Sequence, residues 1–311
     1  MYNIATIQKC LPIEFSVLGN VDVTFDKINS LFDSKENSLT WVRSSLPGSE
    51  KLIENCLSSV IICDKNVKPS ELLLSKKAFI IVEKPDVAFL RLVKCLLTKE
   101  SSSASFIHPT AIISEKAKLG IGVSIGAYSI IGECEIGDNS VIETFAKIHD
   151  RTVLGKNVLI SEYCNIGGEG FGHITNEFGE FENMLHIGNT IIEDNVEIFP
   201  YTNIDRGTLS STIIKKNTKI DHHCHIAHNS FVGENTVITA KVILGGGSSI
   251  GNFSWIGLAA IIRDKVSIGN HVVLGMGSCV VKNIPDGETW MGSPARPIDE
   301  VKLQMKKIAA L

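Results

Sequence analysis

The sequence predicts a mainly β chain built as a left-handed parallel β-helix, with a small α/β domain before it and a short helix after it. The first observation behind this is a strict period of six. Ile214, Ile220, Ile226, Val232, Ile238, Leu244, Ile250, Ile256, Ile262, Ile268, Leu274 and Val280 succeed one another at six-residue steps. An amphipathic helix repeats every 3.6 residues and a strand every two, so neither explains the rhythm. A six-residue repeat is the sequence signature of a parallel β-helix, with one short strand and one corner per repeat and the aliphatic residue pointing into the shaft. The second observation is the small residue that comes next in many repeats. Leu119-Gly120, Ile125-Gly126, Ile250-Gly251 and Ile268-Gly269 place glycine at the expected corners, where it tolerates backbone angles that a tight turn demands.

Residues 1–104 lack the rhythm and read as an α/β domain. Ser59–Cys63 and Ala78–Val82 have the character of buried strands, and Ser49–Leu57 and Pro85–Leu97 that of helices. Lys99–Ser105, with three consecutive serines, reads as the linker. The coil occupies residues 105–290. It starts at Ile107, Ile113, Leu119, Ile125 and Ile131, takes one five-residue step to Ile136, and runs on to Ile166. The stretch from Gly167 to about Gly188 breaks the period with Gly-Gly-Glu-Gly-Phe-Gly and reads as a loop extruded from the coil. Long loops in compact domains are usually functional or disordered. Ile192, Ile198 and Ile204 resume the rhythm, and a shorter insertion at Asp205–Ile213 precedes the unbroken run. Residues 291–311 form a tail whose helix, from Asp299 to Leu311, is expected to cap the open end of the coil.

Composition narrows the function. The net charge is −4, with lysines and arginines interspersed among the acids, which speaks against a nucleic-acid or anionic-membrane surface. No apolar run approaches the roughly 20 residues that span a bilayer, and the first sixteen residues lack the form of a secretory leader. The eight cysteines are scattered with no Cys-x-x-Cys pair. They are expected to be reduced and mostly buried, as in a cytoplasmic protein.

The densest polar cluster is Asp221-His222-His223-Cys224-His225-Ile226-Ala227-His228-Asn229. Ile220 and Ile226 point into the shaft, so His228 falls near a corner and faces outward. Imidazole titrates near neutral pH, which suits a general base. Position 246, eighteen residues and one full turn further on, stacks against His228, and there the chain reads Leu244-Gly245-Gly246-Gly247. Glycine beside a base leaves its N–H open to a developing oxyanion, a contact worth about 2.7–4 kcal/mol in a transition state. Base and oxyanion donor on adjacent rungs suit acyl transfer from a thioester. The competing readings are solvated or trimer-axis histidines for His222, His223 and His225, and a metal site made from the His/Cys cluster. Neighbouring rungs supply no obvious further ligands, and no metal is expected.

These residues resemble a known family, the LpxD-type UDP-3-O-acylglucosamine N-acyltransferases. Leu39-Thr40-Trp41, Ser59-Val60-Ile61-Ile62, Gly167-Gly-Glu-Gly-Phe-Gly, Asn203-Ile-Asp-Arg-Gly and Ile220-Asp221 leading to Ile226-Ala227-His228-Asn229 match its pattern in order and spacing. The resemblance implies that His228 is the general base, Asp221 orients its imidazole, and Gly246 supplies the oxyanion N–H. It implies that Trp41 stacks on a nucleotide base and that Asp205, Arg206, His225 and Asn229 lie at the substrate, Asp205 and Arg206 being equally readable as turn residues. The chain departs from the family in three places. Ile262-Arg-Asp-Lys265-Val stands where a second histidine is usual, Arg43-Ser-Ser-Leu-Pro lacks the family's pocket tyrosine, and the tail is short. The segments from Val280 to Gly287 and from Gly292 to Pro297 are instead similar to those of CoA-using sugar N-acetyltransferases, which makes Lys282 and Arg296 candidates for the CoA arm; Lys265 is a further cofactor-binding candidate.

The expectation is therefore a cytoplasmic homotrimer that moves an acyl group, such as 3-hydroxyacyl, from acyl-CoA to the amine of a dTDP- or UDP-linked amino sugar in surface-glycan synthesis. The alternative within the same class is the lipid A reaction on UDP-3-O-acylglucosamine with acyl carrier protein as donor. A non-catalytic β-helix scaffold is the third reading.

Overall fold

The computed structural model describes residues 1–97 and 105–309, the side chain of Ala309 aside, in two compact units, Met1–Ser102 and Ser103–Leu311. Most of the expected linker at 99–105 lies outside the described residues.

The first unit is an α/β layer. Its strands are β1 (Ser16–Gly19), β2 (Lys27–Ile28), β3 (Ser38–Val42), β4 (Val60–Cys63) and β5 (Ala78–Ile81), in sheet order β1-β5-β4-β3-β2. All neighbours are parallel except β1, which runs antiparallel to β5. Every residue of β4 is buried, as expected for a strand covered on both faces. The helices are α1 (Ile4–Cys10), α2 (Ser49–Asn55), the single turn α3 (Glu71–Leu74) and α4 (Pro85–Leu97). Helices α1 and α4 cover one face of the sheet through Ile7, Ala88 and Leu92. On the other face, α2 brings Ile53 onto Ile61 and Phe79. Asn3 opens α1 with a reciprocal capping box to Thr6. One cysteine expectation is overturned here. Cys10 and Cys95 form a disulfide between α1 and α4, because the helices bring together two residues 85 apart in sequence. The other thiols are free and, Cys279 excepted, buried.

The second unit is the coil. Among the described residues its strands, most of them two residues long, stack into three sheets of eight, ten and nine strands that are parallel except at the terminal hairpin, and each coil strand pairs with its counterpart one turn on, as Ile243 does with Ile261. Ile214, Ile220, Ile226, Val232, Ile238, Leu244, Ile250 and Ile256 have no exposed surface, so the period of six maps directly onto a continuous apolar shaft. Burying each such side chain stabilises by about 1.5–3 kcal/mol.

The corner glycines serve a different purpose from the one expected. Gly120, Gly126, Gly251 and Gly269, immediately after the shaft residue, are not left-handed; a Cβ on any of them would come within 2.5–2.7 Å of a backbone nitrogen one rung away. The left-handed residue comes two positions later and is often asparagine, as at Asn217, Asn229 and Asn235. Bulkier residues occupy it along one edge. Tyr128, Phe145, Tyr163, Tyr201 and His223 all have φ near +60° there, with rings stacked 4.9–5.2 Å apart. Stacking at about 0.5–1.5 kcal/mol per pair offsets much of a left-handed penalty of about 1–2 kcal/mol.

The coil is interrupted where the period fails. Residues between the strands Asn165–Gly168 and Asn189–Ile192 leave the shaft as a loop containing a hairpin, His173–Thr175 against Phe181–Asn183. The end of the coil is closed differently from the expected helix cap. Ile284, Trp290 and Ala295 are buried in the shaft core, with the hairpin Thr289–Gly292/Ala295–Pro297 extending the ten-stranded sheet. The last helix, α5 (Ile298–Ala309), buries no residue of its own.

Candidate active site

His228 sits on the corner between the nine-stranded and eight-stranded sheets, directly after the strand His225–Ile226. Its Nδ1 lies 3.0 Å from Asn229 Oδ1 and 3.4 Å from Thr208 Oγ1. Asn229 Oδ1 also accepts from the backbone N–H of Thr208 at 3.0 Å, which fixes that atom as the carbonyl oxygen. An acceptor there requires His228 to carry a proton on Nδ1, so that in the neutral ring the lone pair is on Nε2. Asn229 holds this pose because its left-handed φ of +60° suits asparagine, and because the 205–213 insertion grips it through Thr208, Ser210 and Thr212.

The free Nε2 faces Gly246: a Cβ there would lie 2.6 Å from it. The three glycines differ in how their N–H groups are used. Gly245 donates to Ile262 and Gly247 to His228, whereas the Gly246 N–H has no partner among the described residues. At the equivalent position of some other rungs the N–H is taken by a side chain one rung on, while at others, such as Ala240, Leu258 and Asp264, it is open as here. Glu133 donates to Asp150 at 2.7 Å, and Glu234 to Asn252 at 2.8 Å. At Gly246 the open N–H and the free imidazole nitrogen lie side by side, the arrangement that acyl transfer requires.

Asp221 is a correction. Its carboxylate binds His222 Nδ1 at 2.6 Å on the preceding corner and makes no contact with His228. Seven residues carry the chain past a full strand and onto the next edge of the prism, so sequence proximity does not become contact. The side chain that His228 Nδ1 does meet is that of Asn229.

Asp205 is buried beside the site. Its Oδ1 accepts from Asn203 Nδ2 at 2.6 Å, and its Oδ2 lies 3.8 Å from His225 Nε2. Burial pushes its pKa up, while the Asn203 hydrogen bond and the nearby histidines His225, His228 and His186 oppose that. The row continues outward as Asn203 to Asn165 at 2.7 Å and Asn165 to His149 at 2.7 Å. Arg206 holds the loop base through its N–H to Gly168 at 2.9 Å, and its Nε is buried without a partner.

His186 is not among the residues that the spacing singles out. The extruded loop returns it edge-to-face against His228, with ring centroids 4.8 Å apart. Burial, and then the neighbouring His228, push its pKa down. No period marks the loop, so nothing in the spacing shows where Leu185-His186-Ile187 lands.

The remaining expected residues lie elsewhere. Lys265 is exposed at the corner beyond Gly246, its N–H bound to the Gly246 carbonyl at 3.0 Å. Lys282 is at the coil end, its ammonium 5.1 Å over the Trp290 ring, and Arg296 is exposed on the terminal hairpin. Trp41 belongs to the first unit, where it lines a cavity of about 620 Å³ with Ile28, Asn29, Leu31, Arg43 and Phe89. Phe89 of α4 stands 6.1 Å from Trp41 and forms a second aromatic wall of the cavity. Arg43 pairs with Asp86 at 2.5 Å at the same cavity, which holds the Asp86 carboxyl below its usual range.

The coil places the chain in the left-handed β-helix class, whose solved members similar to it include acyltransferases. Within that class the chain is LpxD-like. It is 29% identical over 323 residues to the UDP-3-O-acylglucosamine N-acyltransferase of Rhizobium meliloti, covering 94% of this chain and 88% of that one. It is 34% identical over 167 residues to the enzyme of that name from Methylobacterium nodulans; this match spans 51% of the chain and about half, 46%, of the relative. Among solved structures, a UDP-N-acetylglucosamine acyltransferase from Campylobacter jejuni superposes with a TM-score of 0.53 at 25% identity, over 61% of this chain and 73% of that one. Another structure of a UDP-N-acetylglucosamine acyltransferase gives 0.57 at 26%, over 62% and 73%. No family model matches the chain.

Proposed function

We propose that the chain is an N-acyltransferase that moves an acyl group from a thioester to the amine of a UDP-linked acylglucosamine, as the names of its relatives describe for them. The observation that carries this reading is the His228 Nε2 lone pair beside the unpartnered Gly246 N–H. The neutral amine attacks the thioester carbonyl, and His228 Nε2 takes the proton that the nitrogen sheds. The Gly246 N–H holds the oxyanion. When the tetrahedral intermediate collapses, the C–S bond breaks, the thiolate leaves, and His228 returns the proton to it. Asn229 keeps Nε2 available throughout. The Trp41 and Phe89 cavity takes the nucleotide base. In a homotrimer, the outward His228 corner lines a cleft between subunits.

The relatives favour this lipid A type of reaction over the dTDP-sugar reading. Acyl-CoA remains the second reading for the donor, favoured by the exposed Arg296 and by Lys265 above Gly246. Lys282 counts for less, because its ammonium already lies over Trp290. The test is thiol release by the purified protein with 3-hydroxyacyl carrier protein, 3-hydroxyacyl-CoA and acetyl-CoA against UDP- and dTDP-amino sugars. Turnover with UDP-acylglucosamine is expected, with a loss of about 10²–10⁴-fold in His228→Ala. Turnover confined to dTDP-amino sugars would reverse the order of the two readings, and an undiminished His228→Ala rate would remove the base.

A further inference from the structure

His186 takes part in none of these steps, and the way it is held needs a reason. The residue is 2% exposed, and neither Nδ1 nor Nε2 has a hydrogen-bond partner. The Met184 carbonyl favours a proton on the ring without meeting hydrogen-bond geometry. Leaving a buried polar atom unpaired disfavours folding by about 5- to 150-fold in the equilibrium constant, and a leucine or phenylalanine would escape that penalty. Unpaired buried groups in native proteins call for a partner or a catalytic role.

The surroundings say where the partner comes from. The ring lies against His228 on one side and against a strap of glycines on another. A Cβ on Gly170 would come 2.9 Å from both His186 Nε2 and His228 Cβ, and one on Gly172 would come 3.1 Å from His186 Cε1. The strap therefore covers the imidazole without placing a side chain over it, and Gly167 at its root has a left-handed φ of +80°. A neutral imidazole offers one N–H and one lone pair, and a hydroxyl, which both donates and accepts, satisfies either.

We infer that His186 is a second substrate-binding imidazole of the transfer site, receiving a substrate hydroxyl beside the amine that His228 deprotonates. The inference rests on the transfer reading and requires the 168–172 strap to yield by the width of a hydroxyl group. Two substrates carry such groups, the sugar ring and a 3-hydroxyacyl donor.

The experiment compares the full-length wild type, His186→Phe and His186→Gln. Donors are 3-hydroxyacyl and unsubstituted acyl thioesters of equal length, and acceptors carry or lack the hydroxyl next to the amine. His186→Phe is expected to lose about 5- to 150-fold in kcat/KM wherever the recognised hydroxyl is present. The same variant should lose little where that hydroxyl is absent, and His186→Gln should recover most of the rate. The pair of substrates whose discrimination collapses identifies the sugar or the acyl chain as the source. Equal rates for wild type and His186→Phe in every arm overturn the inference. So does an equal loss in every arm, which would mean that the ring only packs against His228. If His186→Phe does not fold, ¹⁵N-histidine spectra of the wild type decide the matter. A shift of the His186 ring nitrogens with the hydroxylated substrate, and none with its deoxy analogue, supports the contact; no shift with either overturns it. Wild type that turns over nothing in any arm defeats the transfer reading and the inference together, a result distinct from selective failure at His186.

Discussion

From Ile214 to Val280 the coil repeats without interruption, while between Gly167 and Ile213 it is broken twice, and the two stretches contribute different things to one site. The regular stretch supplies His228 and Gly246, whose relation depends on nothing but the eighteen-residue turn. The interrupted stretch supplies the groups that aim and surround the imidazole: Thr208 and Ser210 on Asn229, His186 on the ring, and Asp205 beneath. A repeat builds identical corners, so a corner that differs has to borrow its differences from where the repeat fails. Regularity fixes distance, and interruption confers chemistry.

Two glycines inside the regular stretch break this comparison most sharply. A Cβ on Gly233 would meet the backbone nitrogen of Asn252 at 2.6 Å, whereas the three atoms nearest to one on Gly246 all belong to the imidazole of His228. Gly233→Ala is expected to destabilise by about 1–3 kcal/mol, as overpacking does, with kcat unchanged. Gly246→Ala is expected to lower kcat by about 100-fold or more with the melting temperature nearly unchanged, because the added methyl occupies the reacting position. Thermal melts and initial rates on both variants check this; equal effects of the two on activity would mean that Gly246 is an ordinary corner.

Asn229 gives a smaller effect on the interrupted side of the comparison. Asn229→Gly keeps the left-handed backbone accessible and removes only the amide that anchors His228 Nδ1. A loss of about tenfold in kcat is expected, the order of one hydrogen bond, with KM little changed. Asn229→Ala should add a backbone penalty of about 1–2 kcal/mol to the same kinetic loss. Denaturant midpoints and rates measured together separate the two terms. If both variants keep full kcat, the insertion does not orient the base.

Legibility in the sequence divides along the same line. The shaft was legible because every sixth residue is aliphatic, and His228 against Gly246 was legible because a period converts numbering into position. His186 and Thr208 were not, since an aperiodic segment gives no register. Asp221 was misplaced for a related reason: seven residues is one step and a corner, which lands on another edge. In the first unit the Cys10–Cys95 disulfide and the Phe89 wall depend on how α4 packs, which spacing along one helix does not encode. The corner glycines were located correctly but explained wrongly, because close approach of the next rung and a left-handed φ place the same residue type two positions apart.

The smallest expected effect is on stability against pH. Burial pushes the pKa of His149 and of His186 down, both beside the interruptions. A histidine with a lowered folded-state pKa leaves the folded state with fewer bound protons than the unfolded chain. Its neutral form is accommodated without penalty above the unfolded value of about 6.5, and stability is lost as pH falls below that value. Asp205 has the opposite sign. Its pKa is raised by burial, so its contribution is present at low pH and is lost as pH rises from the ordinary aspartate value of about 3.9. Over the interval from pH 7.5 to 5.5 the histidines dominate, and the urea midpoint is expected to fall. His149→Gln should flatten part of that fall. A midpoint independent of pH across the interval would mean that burial of His149 and His186 does not disfavour their charged forms.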